Sequence, residues 1–213
     1  MNKLHTARLI HFTQTGDQLV SYMARVSNPS NQSNDATSER LIRYLIKHKH
    51  WSPFEMVSMC VEINTTRAIA QQILRHRSFS FQEFSQRYSN VDEIGIPTVP
   101  QFRLQSEKNR QSSTTSVDSY TNEMLSKEVQ SLIDHSLSVY STLLNKGVAK
   151  ECAREVLPLS TPTRLYMHGT ARSFIHYLQL RTAEDTQLEH RWVAESIKDC
   201  FLEAFPTVAQ SVF

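Results

Sequence analysis

Between Met56 and Arg77 the spacing of apolar residues changes period, and that change constrains the fold more tightly than any other feature of the chain. In "MVSMCVEI" (residues 56–63) Val57, Met59, Val61 and Ile63 face one way and Ser58 and Glu62 the other. This is the period-two pattern of a half-buried strand. In "TTRAIAQQILRHR" (residues 65–77) Ile69 pairs with Ile73 and Ala70 with Leu74 at helical spacing, with Thr65 or Thr66 as N-cap. A strand leading into a helix, with mostly helical patterning after it, predicts an α+β fold with helix in excess: a mixed sheet of few strands packed with several long helices.

The remaining segments follow from the same rules. A short strand is expected at residues 8–12, and a helix through "GDQLVSYMARVS" (16–27), ended by Asn28, Pro29 and Ser30. A second helix spans "LIRYLIKHKH" (41–50), after cap candidates Asp35 and Thr37, and ends before Pro53. Residues 78–88 are expected as a loop. The polar stretch around "EKNRQSSTTS" (107–116, within a loop of about 104–118) reads as a mobile loop or insertion. A long helix over residues 118–146 carries Leu125, Val129, Leu132, Tyr140 and Leu144 on one stripe and stops at Gly147. Helices are predicted at 149–157, 162–181 and 186–204, the last with Leu188, Trp192, Ile197 and Phe201 recurring. With 213 residues, no repeat and no shift of composition, a single domain over residues 1–213 is expected.

Composition removes several function classes. Four glycines (Gly16, Gly95, Gly147 and Gly169) allow neither G-x-G-x-x-G nor G-x-x-x-x-G-K-[ST] to be written, so side chains and helix ends must hold any phosphate. A formal charge of +2 argues against wholesale wrapping by a polyanion. The start, "MNKLHTARLIHF", has neither a secretory pattern nor a membrane span, and no long apolar run follows, so a soluble cytoplasmic protein without a membrane partner is expected. Cys60, Cys152 and Cys200 form no C-x-x-C pair, fit a reducing compartment better than a disulfide framework or metal site, and read as buried small hydrophobes.

The stretch Arg75–Tyr88, "RHRSFSFQEFSQRY", gathers three arginines, a histidine, two glutamines, a glutamate and three serines. A guanidinium is planar, permanently charged and can make two parallel hydrogen bonds to a phosphate or carbonyl edge. Arginines beside amides and a carboxylate therefore point to nucleotide recognition.

These residues also carry a resemblance. Arg75-His76-Arg77, seven residues, then Ser85 resembles the R-H-R-x7-S signature of the flavin-dependent thymidylate synthases. "HWSPFE" (50–55) resembles that family's H-x-[ST]-P-F-E element, and "ARVS" (24–27) its early flavin-contacting turn. "AREVLPLSTPTRL" (153–165) resembles its A-R-x-x-L-P stretch and "ARSFIHYLQLR" (171–181) its A-R-S…L-x-L-R helix. The matches keep the family's order from about residue 20 to 191.

The resemblance implies reductive methylation of dUMP to dTMP, with methylenetetrahydrofolate as carbon donor, FAD reduced by NADPH as hydride donor, and tetrahydrofolate as product. It implies a homotetramer with sites shared between subunits, and no metal. It places Gln72, Arg75, Glu83, Ser85, Gln86, Arg87, Arg154 and Arg181 at dUMP. It places Ser27, His50, Ser52, Arg75, His76, Arg77, Gln82, Glu83, Arg172 and His176 at FAD. Arg181 and Ser85 are its catalytic candidates: Arg181 would face the uracil carbonyls and stabilise charge on the ring, and Ser85 with Arg87 would hold the 5′-phosphate. Gln82, Thr170 and Asp185 depart from residues found at flavin contacts in other members.

No cysteine lies in the arginine stretch, and Ser85 has only His76 or Glu83 as an evident base, so catalysis without a covalent enzyme–substrate bond is expected. A rival reading is an RNA-binding module, with Arg75, Arg77 and Arg87 on phosphates and Phe79, Phe81, Phe84 and Tyr88 stacking on bases; it leaves "HWSPFE" and "ARSFIHYLQLR" unexplained. A nucleotide-binding protein without redox chemistry is the third.

Overall fold

The computed structural model describes residues 4–213. Met1–Lys3, part of the N-terminal segment read above, lie outside them. In chain order the elements are β1 (Thr6–Phe12), α1 (Gly16–Ala24), α2 (Ser38–Lys47), β2 (Ser58–Thr66), α3 (Arg67–Ile73), β3 (Ser80–Glu83), β4 (Arg103–Gln105), β5 (Ser113–Ser116), α4 (Ser119–Asn145), α5 (Lys150–Ala153), β6 (Pro162–Thr170), α6 (Ala171–Arg181), α7 (Leu188–Ala204) and α8 (Pro206–Val212). The fold is α+β. The chain divides into two compact units, one comprising Met1–Ile63, Leu74–Gln82 and Leu165–Phe213, the other Asn64–Ile73 and Glu83–Arg164.

Most residues of a four-stranded sheet, ordered β1-β2-β6-β3, lie in the first unit. There α7 packs along β1 and α6 on α7, while α2 packs against α1 and α8. Its core holds Ile42, Phe54, Met59, Leu165, Met167, Phe174, Tyr177, Ile197, Phe201 and Phe205, all inaccessible to solvent. Phe79 stands edge-on to Phe174 at 4.9 Å between ring centres, and Phe201 continues the aromatic column to Phe205 at 5.3 Å. Two glycines admit these rings. A Cβ on Gly16 would lie 2.4 Å from Phe205, and one on Gly169 would lie 2.4 Å from Phe79. Buried Asp17, at the start of α1, accepts from Thr207 N at 2.7 Å, satisfying an amide in the first turn of α8.

Several expectations are corrected here. Residues 162–181 are not one helix: "PTRLYMHGT" is β6, with Thr163, Leu165, Met167 and Gly169 buried and Arg164, Tyr166 and His168 exposed. Only Ala171 onward is helical. The loop expected at 78–88 contains strand β3. The 16–27 helix ends at Ala24, because Arg25 turns inward and donates to Asn34 O at 2.6 Å and Thr37 Oγ1 at 2.8 Å. Thr37 precedes α2 without a side-chain capping bond. Strand β2 is buried on both faces, since Glu62 is only 3 % exposed: Arg8 donates to it through Nε and Nη2 at 2.9 and 3.0 Å, and Tyr166 OH at 2.9 Å. Cys60 and Cys200 are buried but Cys152 is exposed.

The second unit builds a smaller core from Val91, Tyr140 and Ala153, flanked by Leu143, Leu144, Val148 and Leu157. Thr65 and Thr66 lie in β2, and the first amides of α3 donate to the carbonyls of Thr161 and Leu159. Asp118 caps α4 by accepting from Thr121 N at 3.0 Å, and Gly147, at φ 81°, ends the turn that follows. The buried stripe of α4 runs through Ile133 rather than Leu132, which is 64 % exposed. The polar loop is an antiparallel hairpin of β4 and β5, with Arg103 opposite Ser116. The Gln105 side-chain amide donates to the carbonyls of Ser106, Asn109 and Ser112 at 3.0–3.3 Å, replacing a hydrophobic core as the source of order.

Gly169→Ala is expected to displace Phe79 and destabilise the protein by about 1–3 kcal/mol, a range typical of overpacking; urea unfolding with an unchanged midpoint would contradict this.

Candidate active site

Helix α6 organises the site residues of the first unit. Thr170 caps it, its hydroxyl accepting from Ser173 N at 3.3 Å, and Ala171 N donates to Val57 O at 2.9 Å. Arg172, Ser173, His176 and Gln179 then follow at helical spacing and line a cleft of about 390 Å³ with Trp51, Glu55 and Ser78. Arg172 is ion-paired with Glu55. Ser173 Oγ donates to Ser78 O at 3.3 Å, tying the segment after the arginine-histidine-arginine run to α6. His50 stands edge-on to Tyr44, 6.1 Å between ring centres. Ser27 lines a second cleft, of about 690 Å³, with Arg25, Asn31, Arg40 and Tyr44. Ser52 is exposed at the head of a 3-10 turn, Ser52–Glu55.

At the other end of α6, Arg181 Nε donates to His76 Nε2 at 3.0 Å. An arginine has no acceptor, so His76 presents a bare Nε2 and carries its proton on Nδ1. Burial, then the nearby Arg181, then His176 push the His76 pKa down to about 4. The ring of His76 stands edge-on to Tyr177, 4.8 Å between centres, and the Tyr177 hydroxyl is hydrogen-bonded to His190 Nε2 at 3.0 Å. His190 is fully buried, and burial, Arg181 and His76 lower its pKa to about 3. Burial raises that of Tyr177. Arg75, Arg77 and Gln82 are exposed, and neither arginine forms an ion pair among the described residues.

In the second unit, Ser85, Arg87 and Tyr88 are exposed and Gln86 is buried. Their turn is held by backbone bonds from Tyr88 N and Ser89 N to Ser85 O, both 3.0 Å, and by α5: Lys150 Nζ donates to Tyr88 O at 2.8 Å and Glu151 pairs with Arg87 at 3.4 Å. An exposed pair of this kind contributes little to stability, so Arg87 can exchange Glu151 for another anion. Glu83 is engaged: it accepts from Arg67 Nη1 at 2.6 Å and Thr163 Oγ1 at 2.9 Å. Gln72 and Arg154 are half-buried.

The structure therefore gathers Arg172 with His176 and His76 with Arg181 in one unit, and Ser85 with Arg87 in the other. Ser173, Gln179 and Glu55 were missed, although the helical spacing from Arg172 and the "HWSPFE" element marked all three. Tyr177 and His190 carried no sequence signal of their own, and His190 lies between Glu189 and Arg191.

The family model described as thymidylate synthase complementing protein matches residues 8–207. A probable flavin-dependent thymidylate synthase of Paramecium bursaria Chlorella virus 1 is 47% identical over 207 residues, covering 97% of this chain and 95% of that protein. The chain belongs to the flavin-dependent thymidylate synthase family. It is an enzyme of the methyltransferase type. A Synechocystis flavin-dependent thymidylate synthase is 47% identical over 194 residues, covering 91% of this chain and 88% of its own. Among solved structures, the UMP/dUMP methylase PolB of Streptomyces cacaoi, bound with 5-Br dUMP, superposes with a TM-score of 0.86 at 29% identity, covering 97% of this chain and 93% of that one. Among the described residues no helix is long and apolar enough to cross a membrane, and no three His, Cys, Asp or Glu side chains gather as a metal site.

The lowered His76 and His190 pKa values set a sign for pH. Unfolded imidazoles bind protons below about 6.5, whereas the folded ones resist until about 4 and 3. Stability is therefore expected to fall as pH drops from 6.5 toward 4, and to be insensitive to these groups above 7. Urea unfolding at pH 7.5 and 5 checks this: a His190→Leu variant should lose less stability than the wild type over that interval, and an equal loss would contradict it.

Proposed function

We propose that this enzyme methylates dUMP to dTMP, taking the carbon from methylenetetrahydrofolate and the hydride from FAD reduced by NADPH, with tetrahydrofolate as second product. Identity of 47% to a named flavin-dependent thymidylate synthase along nearly the whole chain carries the reading. The PolB likeness supports a uridylate substrate, since that protein is described with 5-Br dUMP bound.

The donors on the page suit these ligands. Arg172, His176, Ser78, Ser173 and Gln179 offer a cation, an imidazole, hydroxyls and an amide along one cleft with the Trp51 indole as a wall. A flavin needs such donors at its carbonyl edge and cations at its diphosphate. We assign Ser27, His50, Ser52, Arg75, His76, Arg77, Gln82, Glu83, Arg172 and His176 to FAD. Bound there, the flavin supplies the hydride. Gln72, Arg75, Glu83, Ser85, Gln86, Arg87, Arg154 and Arg181 are assigned to dUMP. Arg75 and Arg77, exposed without carboxylate partners, are what an anion site requires before its ligand arrives.

The proposed chemistry needs no nucleophile from the protein. Arg181, its Nε committed to His76, keeps its terminal amino groups for the uracil carbonyls, where they stabilise negative charge as the ring attacks the methylene donor. Ser85 and Arg87 hold the 5′-phosphate. Burial pushes the thiol of Cys60 up and that of Cys200 to about 11, away from thiolate. The bases considered for Ser85 are spoken for: Glu83 by Arg67 and Thr163, His76 by Arg181. The RNA reading loses one of its stacking rings, because Phe79 is core. A homotetramer with shared sites, in the cytoplasm, completes the proposal.

The direct test supplies FAD, NADPH and methylenetetrahydrofolate with dUMP or with UMP. dTMP should form from dUMP only when flavin and folate are both present; its absence would sink the reading. Cys152→Ala should keep near-full activity, and Ser85→Ala should raise the dUMP KM by on the order of tenfold while chemistry persists, the loss of one or two hydrogen bonds. Abolished turnover with dUMP binding intact in Ser85→Ala would favour a covalent route. Lys150→Met should loosen the 85–89 turn and raise the dUMP KM about threefold with an unchanged melting temperature; steady-state kinetics decides.

A further inference from the structure

We propose that Tyr177 and His190 are positioning residues: their buried hydrogen bond seats His76 as the acceptor of Arg181 and so aims Arg181 at the pyrimidine. The proposal rests on the role given to Arg181 above.

The geometry carries it. Tyr177 and His190 are both inaccessible to solvent, in a core otherwise made of Phe79, Phe174, Phe201 and aliphatic residues. A hydroxyl and an imidazole there are costly to bury, and an apolar pair of the same volume would pack as well without the desolvation. What the polar pair adds is orientation. With its hydroxyl tied to His190 Nε2 at 3.0 Å, the far end of the Tyr177 side chain is pinned and the ring cannot move sideways or slide along α6. That ring is the surface on which His76 stands, 4.8 Å between centres and 79° between planes, and His190 itself meets His76 at 6.4 Å and 84°. Tyr177 and Arg181 are four residues apart, one turn of α6, so one helix face presents both the seat of His76 and the donor to it.

The arrangement works only with a neutral imidazole. Among the described residues, Arg181, His176 and Tyr177 from α6 and His190 from α7 face His76, and none of these is a carboxylate. Proton gain at Nε2 would set two donors and two cations face to face, and the 3.0 Å bond from Arg181 would be lost. A tightly packed, dry seat keeps the proton off. A loosened one admits water and a proton together, and Arg181 is released.

The test compares wild type, Tyr177→Phe, His190→Leu and His190→Gln, the last keeping an amide that can accept from or donate to the hydroxyl. Histidine-labelled protein reports His76 titration by NMR without any turnover. Tyr177→Phe and His190→Leu should raise the His76 pKa by about one unit, roughly the scale of a desolvation change at a half-buried site, lower kcat for dUMP about tenfold with less change in KM, and move the acid limb of the kcat profile upward by the same amount. His190→Gln should keep all three close to their wild-type values. In an Arg181→Lys background Tyr177→Phe should change kcat little further, since the two act through one bond. Lowered melting temperatures with unchanged His76 titration and unchanged acid limb would overturn the proposal and leave the pair as packing. Should Tyr177→Phe fail to fold, His190→Leu against His190→Gln decides alone. A wild type that does not methylate dUMP would remove the functional reading, while the NMR titration would still test the seating of His76.

Discussion

A guanidinium has only hydrogens to give, so the bond from Arg181 to His76 dictates the protonation of the histidine, and much of the first unit can be understood as keeping it that way. His76 must stay neutral with Nε2 bare; burial supplies that. Burial depends on α6 being in place, which rests on its Thr170 cap, on Gly169 letting Phe79 approach β6, and on α7 closing the back through Tyr177 and His190. A single cation held by a neutral base thus links a strand glycine, a helix cap and a buried tyrosine–histidine pair.

The scarcity of glycine sets the second constraint. Glycine-rich backbone cradles for phosphate are not available, and the chain presents arginines instead. Arg75 and Arg77 are exposed without acids beside them, whereas Arg8, Arg67 and Arg172 are each engaged with a glutamate. Arg8 and Arg67 thereby serve the fold, whereas Arg172 and Arg87, each in an exposed pair, can exchange a glutamate for a ligand anion. In the second unit the exposed Ser85–Tyr88 turn gains its shape from Lys150 and Glu151 on α5, so a turn without a core of its own is still held where a phosphate could use it.

What could be read from sequence was what depends on local order. The 56–63 strand, the long helix with its Gly147 stop and the arginine run with its serine were all visible. The 162–181 segment failed because "TPTRLYMHGT" alternates while the residues after it follow a helical period, and a window spanning both reports the stronger helical half. Leu132 was placed in the α4 stripe because Leu132 and Ile133 are adjacent, and only packing chooses between them. Glu62 looked solvent-facing, since Arg8 and Tyr166, far away in sequence, are what permit its burial. The pairing of His190 with Tyr177 likewise spans two helices, and no spacing rule reaches it.

The measurement that bears most directly on the account is the visible spectrum of the purified protein reconstituted with FAD, recorded anaerobically before and after NADPH and with or without dUMP. The account predicts flavin bands that bleach with NADPH and that shift when dUMP is added but not when buffer alone is added. A protein that retains no flavin colour, or whose bound flavin ignores dUMP, would contradict it.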